Sequence, residues 1–319
     1  MLIALFIVSG LLLLFFGGDI LVNGAVNIAK HFGWSELLIG IVLVGFGTST
    51  PELMTSILAT FDGQPGIALG NIVGSNTANI LLILGVSSLI YPIACDKKTF
   101  FRDGGFMVGA ALLCLGVCLY GSMNFMAGLF CVIGLGCYIG YCIATEIRAV
   151  KAHDHKVMEE DEPLEKTGLL KDIGLFVVGL IMTFIGARLL VDGAIDVARI
   201  FNVSETIIGL TIVAIGTSLP ELVASGMAAL KKNTDIAFGN IIGSNIYNIL
   251  GVLGVTAILH PFNVPEQIMN FDIWVMITAT ALLMGFAAQG WTLSRWKGAV
   301  FLGAYIVYTL ALIRTAFVA

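Results

Sequence analysis

Charged residues are scarce in this chain. Lys, Arg, Asp and Glu together make up 12% of its 319 residues, whereas 58% are hydrophobic. A soluble domain of this length carries about twice that share of charge, so the composition excludes one. The net charge of −5 says little about partners, because most charges lie in loops, and we expect no nucleic-acid partner. The chain is predicted to lie in a lipid bilayer.

Long apolar runs occupy most of the sequence. A membrane-spanning helix needs about 20 apolar residues, and the alternating strands of about ten residues that indicate a barrel are not seen. We therefore predict an all-α polytopic membrane protein with ten transmembrane helices. The predicted spans are 2–29, 36–60, 67–91, 104–121, 125–147, 173–199, 205–230, 236–259, 270–288 and 298–317.

The sequence contains an internal duplication. Residues 17–92 align without a gap on 186–261 at an offset of 169, and 35 of the 76 aligned positions are identical. Because five spans precede the central loop and five follow it, equivalent helices cross in opposite directions. This predicts two inverted five-helix repeats, a plan that places a substrate site near the membrane midplane. The first 29 residues could be mistaken for a signal peptide, but their second half belongs to the repeat, so we expect them to be retained.

The duplication and the loops predict the domain boundaries and the topology. The first half, 1–147, contains α-repeat 1 at about 36–91, and the second half, 173–319, contains α-repeat 2 at about 205–260. Thirteen of the 16 Lys and Arg residues lie in loops on one side, which the positive-inside rule makes cytoplasmic. We therefore expect a multi-pass protein of the cell (inner or plasma) membrane, with both termini outside and the loop 148–172 in the cytoplasm.

Two groups of residues could bind a metal ion but favour a plainer interpretation. The acidic run at 159–162 in the central loop could bind a regulatory cation, yet it lacks the ligand spacing of an EF-hand, so a solvated linker is favoured. Two of the six cysteines, Cys114 and Cys118, share a helix face. No His lies among the cysteines, so packing is favoured over a metal or redox site. The cysteines are Cys95, Cys114, Cys118, Cys131, Cys137 and Cys142.

Each repeat places one glutamate inside an otherwise apolar span. Carboxylates in such a place are costly and are usually there for function. The motifs are GTSTPE at 47–52 and GTSLPE at 216–221, and their hydroxyl and carboxylate groups share one helix face. Pro51 and Pro220 cannot donate a backbone hydrogen bond, so they predict a broken helix with free carbonyl oxygens. The polar residues of this face are Thr48, Ser49, Glu52, Thr217, Ser218 and Glu221.

A second motif, GNIxGSNxxN, follows in each repeat. It adds the amides and hydroxyls of Ser75, Asn76, Asn79, Ser244, Asn245 and Asn248. Its glycines, Gly70, Gly74, Gly239 and Gly243, permit close helix approach. Such an oxygen-only set suits hard cations such as Ca²⁺ and Na⁺ and argues against Zn²⁺ or Cu²⁺. One Ca²⁺ or two Na⁺ would neutralise the two glutamates, and protons would compete with them. We expect no cofactor, because these ions are the substrates.

A structural role is the alternative for these polar residues, since Ser, Thr and Asn also hydrogen-bond between membrane helices. Two copies, each with Glu, Pro and the same polar set, favour the functional interpretation. Asp19, Asn23, Asp192 and Asp196 lie in the first and sixth spans without such a motif. For these four residues a structural or gating role is favoured over ligation.

The paired motifs resemble the α-repeats of the cation/Ca²⁺ antiporter superfamily, specifically the prokaryotic sodium/calcium exchangers, and the resemblance covers essentially the whole chain. It implies that Glu52 and Glu221 are the main Ca²⁺ ligands, and that Asn79 and Asn248 face the central position. Family members often carry Asp in place of Asn248 and Leu in place of Thr50. The implied Na⁺ ligands are the hydroxyls of Thr48, Ser49, Ser75, Thr217, Ser218 and Ser244 and the carbonyls of Gly45 and Ala214.

The resemblance implies a secondary active antiporter that exchanges Na⁺ for Ca²⁺ by alternating access, in which the first and sixth spans slide. A proton-coupled Ca²⁺ antiporter could use the same glutamate pair, and a cation channel is a further alternative. An intramembrane enzyme is disfavoured, because no nucleophile and base pair accompanies the glutamates. One chain contains both copies, so a monomer is sufficient.

Overall fold

The chain folds into a bundle of membrane-spanning helices. The computed structural model describes residues 2–63, 65–97, 100–154, 168–201 and 214–318. Within these ranges nine helices are long and apolar enough to cross a membrane, and a shorter apolar helix, Leu219–Leu230, belongs to the seventh predicted span. The prediction of an all-α polytopic protein is confirmed.

The ten helices follow the predicted spans closely. Residues 205–213 of the seventh span, and His155 with the acidic run 159–162 of the central loop, lie outside the described residues. The helices are α1 Leu2–Phe32, α2 Glu36–Phe61, α3 Gly66–Ile90, α4 Phe100–Tyr120, α5 Phe125–Asp154, α6 Leu169–Ile200, α7 Ala214–Thr217 with Leu219–Leu230, α8 Thr234–Leu259, α9 Ile268–Ala288 and α10 Arg295–Val318.

Five of the described helices contain a π-helical stretch. Such stretches widen the helix locally and are frequent at functional sites. Those of α3 and α8 lie at equivalent places in the two repeats, as do those of α4 and α9. The stretches are Gly40–Val44, Asn79–Leu84, Phe100–Gly104, Tyr247–Leu253 and Ile268–Asp272.

α4 begins earlier than the sequence predicts, at Phe100 instead of residue 104. The predicted span begins after the charged residues Arg102 and Asp103, whereas the structure includes both of them in the helix. The Arg102 guanidinium donates to both carboxylate oxygens of Asp103, at 2.9 and 2.8 Å, and Tyr138 Oη donates to the same carboxylate at 3.2 Å. Pairing of this kind offsets the desolvation of two charges, so the helix can start with them.

α1 and α6 lie against each other along much of their length, with their backbones in direct contact. A Cβ atom added to Gly10 of α1 would lie 2.8 Å from the backbone N of Leu190, and one added to Gly24 would lie 2.7 Å from that of Phe176. Only glycine permits this approach, which is typical of small-residue helix pairs in membranes. The two helices therefore form one packed unit, the α1/α6 pair.

α8 lies at the centre of the bundle, where every residue from Ile236 to Gly254 is buried. It packs on α2 so closely that a Cβ atom on Gly243 would lie 2.5 Å from the carbonyl oxygen of Ile41. The predicted close approach is thus confirmed for Gly239 and Gly243. The equivalent neighbours of Gly70 and Gly74 would be residues 206 and 210, which lie outside the described part of the chain.

Four short strands connect loops of the first half to loops of the second. β1 (Ile93–Ala94) pairs antiparallel with β4 (Thr292–Leu293), so that Ile93 lies opposite Leu293. β2 (Ser122–Met123) pairs antiparallel with β3 (Phe262–Asn263), so that Ser122 lies opposite Asn263. Each pairing therefore ties the two halves together with backbone hydrogen bonds.

Candidate cation-binding site

α2 and α7 are each interrupted at the motif serine, two residues before the motif proline. Ser49 has φ −83° and ψ 5°, and Ser218 has φ −92° and ψ 8°, so both leave the α-helical region for the bridge region. Pro51 and Pro220 supply no N–H to the preceding turn. The predicted break is confirmed in both repeats. It places each glutamate in the first turn of a new helix, where the helix dipole favours a negative charge.

Each glutamate is hydrogen-bonded by the serine of the other repeat. Ser49 Oγ donates to Glu221 Oε1 at 3.1 Å, and Ser218 Oγ donates to Glu52 Oε1 at 3.5 Å. The two glutamates are 1% and 0% exposed. The two helix breaks therefore meet around a pair of buried carboxylates, and each carboxylate is oriented from across the repeat interface.

Apart from Asn76 Oδ1, four acceptor oxygens of the predicted polar residues have no hydrogen-bond donor among the described residues. They are the second carboxylate oxygens of Glu52 and Glu221 and the amide oxygens of Asn79 and Asn248. A buried acceptor without a partner costs about 1–3 kcal/mol, and more when it is charged. These four atoms form two pairs related by the internal repeat. Carboxylate and amide oxygens of this kind are ligands that a hard cation takes.

The polar residues of α3 and α8 also contact each other across the repeats. Asn248 Nδ2 donates to Ser75 Oγ at 3.1 Å, and Asn79 Nδ2 donates to Asn245 Oδ1 at 3.2 Å. These bonds engage the amide nitrogens of Asn79 and Asn248 and leave their amide oxygens without a partner. The side chains are therefore oriented with their oxygens available for a ligand.

Two predicted Na⁺ ligands, the carbonyl of Gly45 and the hydroxyl of Ser244, lie next to each other on one side of the centre. Ser244 Oγ donates to the carbonyl oxygen of Gly45 at 3.4 Å, and the same carbonyl accepts from Ser49 N at 3.1 Å. The Gly45 carbonyl, which the resemblance implies as a Na⁺ ligand, is therefore hydrogen-bonded in this structure, four residues before the helix break at Ser49. Its counterpart Ala214 is the first residue of α7.

Thr48 and Thr217 occupy equivalent positions one residue before the breaks. Thr48 is fully buried, and its hydroxyl lies 3.0 Å from the Val44 carbonyl and 3.2 Å from Asn240 Oδ1. Both neighbours are acceptors, so they share the single hydroxyl proton and leave the oxygen lone pairs of Thr48 available. Thr217 is half-buried.

The chain matches a known family over nearly its whole length. The model of the family described as sodium/calcium exchanger protein matches residues 2–144 and 171–314. The chain belongs to the sodium/calcium exchanger family. It is 34% identical to the sodium/calcium exchanger MaX1 of Methanosarcina acetivorans, with 97% of each chain covered.

The chain is also similar to a solved structure and to a more distant relative. The sodium-calcium exchanger NCX_Mj matches with a TM-score of 0.82 and 32% identity, covering 98% of this chain and 99% of that one. The Ca²⁺/H⁺ antiporter ChaA of Bacillus subtilis is 27% identical over 85% of this chain and 82% of its own length. The inverted-repeat helical fold of this family member is thereby confirmed.

Two asparagines that the sequence analysis did not single out hydrogen-bond the backbones of the two glutamates. Asn71 Nδ2 donates to the Glu52 carbonyl at 3.1 Å and to Ser56 Oγ at 3.0 Å. Asn240 Nδ2 donates to the Glu221 carbonyl at 3.4 Å, and to a serine of α7 at 2.8 Å. The signal was present in the sequence, since both asparagines and both serines recur at the same offset of 169 as the glutamates.

Other buried ionisable groups of this family member have partners away from the site. Asp272 accepts from Tyr308 Oη at 2.9 Å, at the position equivalent to Asp103 in the first half. Lys297 Nζ donates to three backbone carbonyls, those of Phe286 in α9, Gln289 just after it and Thr292 in β4, at 2.6 to 2.9 Å. These contacts complete the fold and supply no ligand to the centre.

Among the residues that the structure describes, no thiol or imidazole belongs to the candidate site. All six cysteines are free, and five of them are buried. In the described part of the chain, no group of three or more His, Cys, Asp or Glu residues is placed to hold a metal ion. The oxygen atoms available as ligands at the candidate site belong to two carboxylates and to amide, hydroxyl and carbonyl groups. Such a set suits Ca²⁺ or Na⁺.

Proposed function

We propose that this protein is a secondary active antiporter that exchanges Na⁺ for Ca²⁺ across the membrane by alternating access. The observation that carries the proposal is the pair of buried glutamates. Each has one oxygen held by the serine of the other repeat and one oxygen without a partner. Two carboxylates neutralise one Ca²⁺, and the surrounding oxygens allow the six to eight ligands that Ca²⁺ takes.

In this proposal Glu52 and Glu221 are the main Ca²⁺ ligands, and Asn79 and Asn248 face the same central position. Their unsatisfied amide oxygens support that assignment. The Na⁺ sites lie on the two sides of the centre, where hydroxyl and carbonyl oxygens converge. The proposed Na⁺ ligands are Thr48, Ser49, Ser75, Thr217, Ser218, Ser244 and the carbonyls of Gly45 and Ala214.

Exchange follows from the charge of the site. Na⁺ and Ca²⁺ both need the same two carboxylates, so they bind in competition. An empty site would leave two buried negative charges without compensation, which is strongly unfavourable. The protein therefore changes state readily only when loaded, and the return step requires the other ion.

We further propose that the chain lies in the cell membrane with both termini outside and the central loop in the cytoplasm. The distribution of Lys and Arg among the loops supports this orientation. The two halves, 1–147 and 173–319, then cross the membrane in opposite senses. One chain contains the whole site, so transport requires no second copy.

The proposal is tested by ⁴⁵Ca²⁺ uptake into proteoliposomes that contain the purified protein. One set is preloaded with Na⁺ and diluted into Na⁺-free medium, and a matched set has equal Na⁺ on both sides. A third set has a pH gradient and no Na⁺. We expect uptake only where a Na⁺ gradient is present. Equal uptake in the first two sets would contradict the proposed coupling.

A proton-coupled Ca²⁺ antiporter is the second candidate. The likeness to the Ca²⁺/H⁺ antiporter ChaA favours it, and two buried carboxylates in proximity are suited to proton binding. In that case the site and its glutamates keep their roles, and the pH-gradient vesicles alone accumulate Ca²⁺. The same experiment therefore decides between the two.

A further inference from the structure

Four charged residues outside the cation site are related by the internal repeat. Asp19 of α1 aligns with Arg188 of α6 at the offset of 169, and Asp62 at the end of α2 aligns in the same way with Lys231 at the end of α7. Asp19 and Lys231 have opposite charges, and so do Arg188 and Asp62. The signs are exchanged between the repeats, so an attractive pair between the two halves is available at each of the two equivalent contacts.

The first of these pairs is formed. Lys231 Nζ lies 2.7 Å from Asp19 Oδ1 and donates to Asn23 Oδ1 at 2.6 Å. The bridge joins α1 to the end of α7, above an apolar contact between the same helices. A Cβ atom on Gly18 would lie 2.5 Å from Val223 Cγ1. α1 is therefore closely packed on α7.

The equivalent contact between α6 and α2 is open. Arg188 pairs with Asp192 of its own helix at 3.1 Å, and the Arg188 side chain is 80% exposed. Among the ion pairs of the described residues, none joins Arg188 to Asp62. Met54 and Leu58, which are equivalent to the α7 residues packed under α1, are 51% and 58% exposed. The surface of α2 that would receive α6 is uncovered.

We infer that these four residues are positioning residues for the transport step. The Asp19–Lys231 pair holds the α1/α6 pair in the position seen in this structure, and an Arg188–Asp62 pair holds it in the opposite position. The inference rests on the alternating access of the proposed function. It also identifies which groups exchange partners when the α1/α6 pair moves.

The geometry of the repeats makes the two contacts alternatives. α1 and α6 are joined by backbone contacts, so they move together. α2 and α7 cross the membrane in opposite directions, so Asp62 and Lys231 lie at opposite faces. A shift of the α1/α6 pair that brings Arg188 to Asp62 therefore withdraws Asp19 from Lys231.

The strength of the contact suits this role. The Lys231 and Asp19 side chains are 23% and 43% exposed, and partly exposed ion pairs contribute little to stability. A contact of this kind biases two states without trapping either one. Removing it is expected to change the ratio of the two states severalfold.

Cross-linking tests the exclusivity directly. The six native cysteines are replaced, and cysteines are introduced as Asp19→Cys with Lys231→Cys, as Arg188→Cys with Asp62→Cys, and as all four together. A short bis-methanethiosulfonate is then applied, which forms a disulfide with each of two thiols, releases sulfinate and can be removed again by reduction. We expect each pair to cross-link, and each cross-link to stop ⁴⁵Ca²⁺ uptake until it is reduced. The four-cysteine protein is expected to gain one cross-link or the other in each molecule.

Two results would overturn the inference. One is both cross-links in the same molecule, and the other is failure of the Arg188/Asp62 positions to cross-link in a protein that still takes up Ca²⁺. Vesicles that show no uptake under either ion gradient before the reagent is added would instead contradict the proposed function, while the cross-linking pattern still reports the motion.

Charge removal in the protein with its native cysteines provides a second test. Lys231→Met releases the contact seen here, whereas Arg188→Met removes its alternative. Apparent Ca²⁺ affinity is measured at one membrane face in vesicles of uniform orientation. We expect severalfold changes in opposite directions for the two variants. A decrease in both would indicate a merely structural role and would overturn the inference.

Discussion

The two repeats are nearly equivalent at their centre and differ at their edges. At the centre, each glutamate accepts from the serine of the other repeat. On the neighbouring helices α3 and α8 the equivalence ends, because Asn248 donates to Ser75 whereas Asn79 donates to Asn245. At the edges, α1 is packed on α7 while the equivalent surface of α2 is exposed. A duplicated chain can thus keep two matched carboxylates at its centre while equivalent surfaces at its edges are packed differently.

Removal of one carboxylate charge is expected to have the largest effect on Ca²⁺ affinity, and it tests whether the two repeats are equivalent at the centre. Glu52→Gln and Glu221→Gln each leave a buried site with half of its negative charge, and loss of one partner from a buried charge cluster costs about 3–5 kcal/mol. We expect apparent Ca²⁺ affinity to fall by about 100-fold or more in both variants, measured by ⁴⁵Ca²⁺ uptake. Full uptake by either variant would show that the two repeats do not share the ion.

The close packing of α8 on α2 is expected to be sensitive to a single methyl group. Gly243→Ala places a Cβ atom against the Ile41 carbonyl, and overpacking of this kind costs about 1–3 kcal/mol. We expect a lower midpoint of thermal unfolding in detergent. Gly285→Ala is the matched control, because its Cβ atom would meet nothing within 4 Å. Equal midpoints for the two variants would contradict the observed packing.

The backbone supports of the two glutamates are expected to be equivalent. Asn71→Ala and Asn240→Ala each remove a hydrogen bond to a glutamate carbonyl, a contribution of about 0.5–1.5 kcal/mol. We expect apparent Ca²⁺ affinity to weaken by roughly 3- to 10-fold in both. The exposed Asn270 provides the control variant Asn270→Ala. An effect confined to one of the two repeats would show that the supports are unequal.

The smallest expected effect distinguishes the two serines. The Ser49 hydroxyl lies 3.1 Å from its glutamate oxygen and the Ser218 hydroxyl lies 3.5 Å from the equivalent atom, so the first hydrogen bond is the stronger. We expect Ser49→Ala to raise the Na⁺ concentration for half-maximal exchange about twofold more than Ser218→Ala. The reverse order would indicate that the repeats exchange roles in the state that binds Na⁺.

Much of this architecture could be predicted because it repeats. The offset of 169 identifies equivalent helices, and Pro51 and Pro220 predict the two helix breaks. The glutamates stand out because a carboxylate in an apolar span is rarely without function. These inferences depend on residue type and spacing alone, and a single sequence contains both.

The remaining features depend on three-dimensional contacts. The start of α4 at Phe100 depends on the pairing of Arg102 with Asp103, which the pattern of apolar residues does not reveal. The roles of Asn71 and Asn240 depend on which carbonyl each amide reaches. The contact of Lys231 with Asp19 depends on the position of α1, which breaks the symmetry that the sequence predicts.

The short strands between the loops bear on how the protein can move. β1 with β4 and β2 with β3 join the two halves at opposite faces of the membrane. A transporter fastened in this way cannot rock one half against the other without breaking those backbone hydrogen bonds. α1 and α6 contribute no strand to either pairing among the described residues. The alternating access proposed above therefore assigns the movement to α1 and α6, which these pairings leave unfastened.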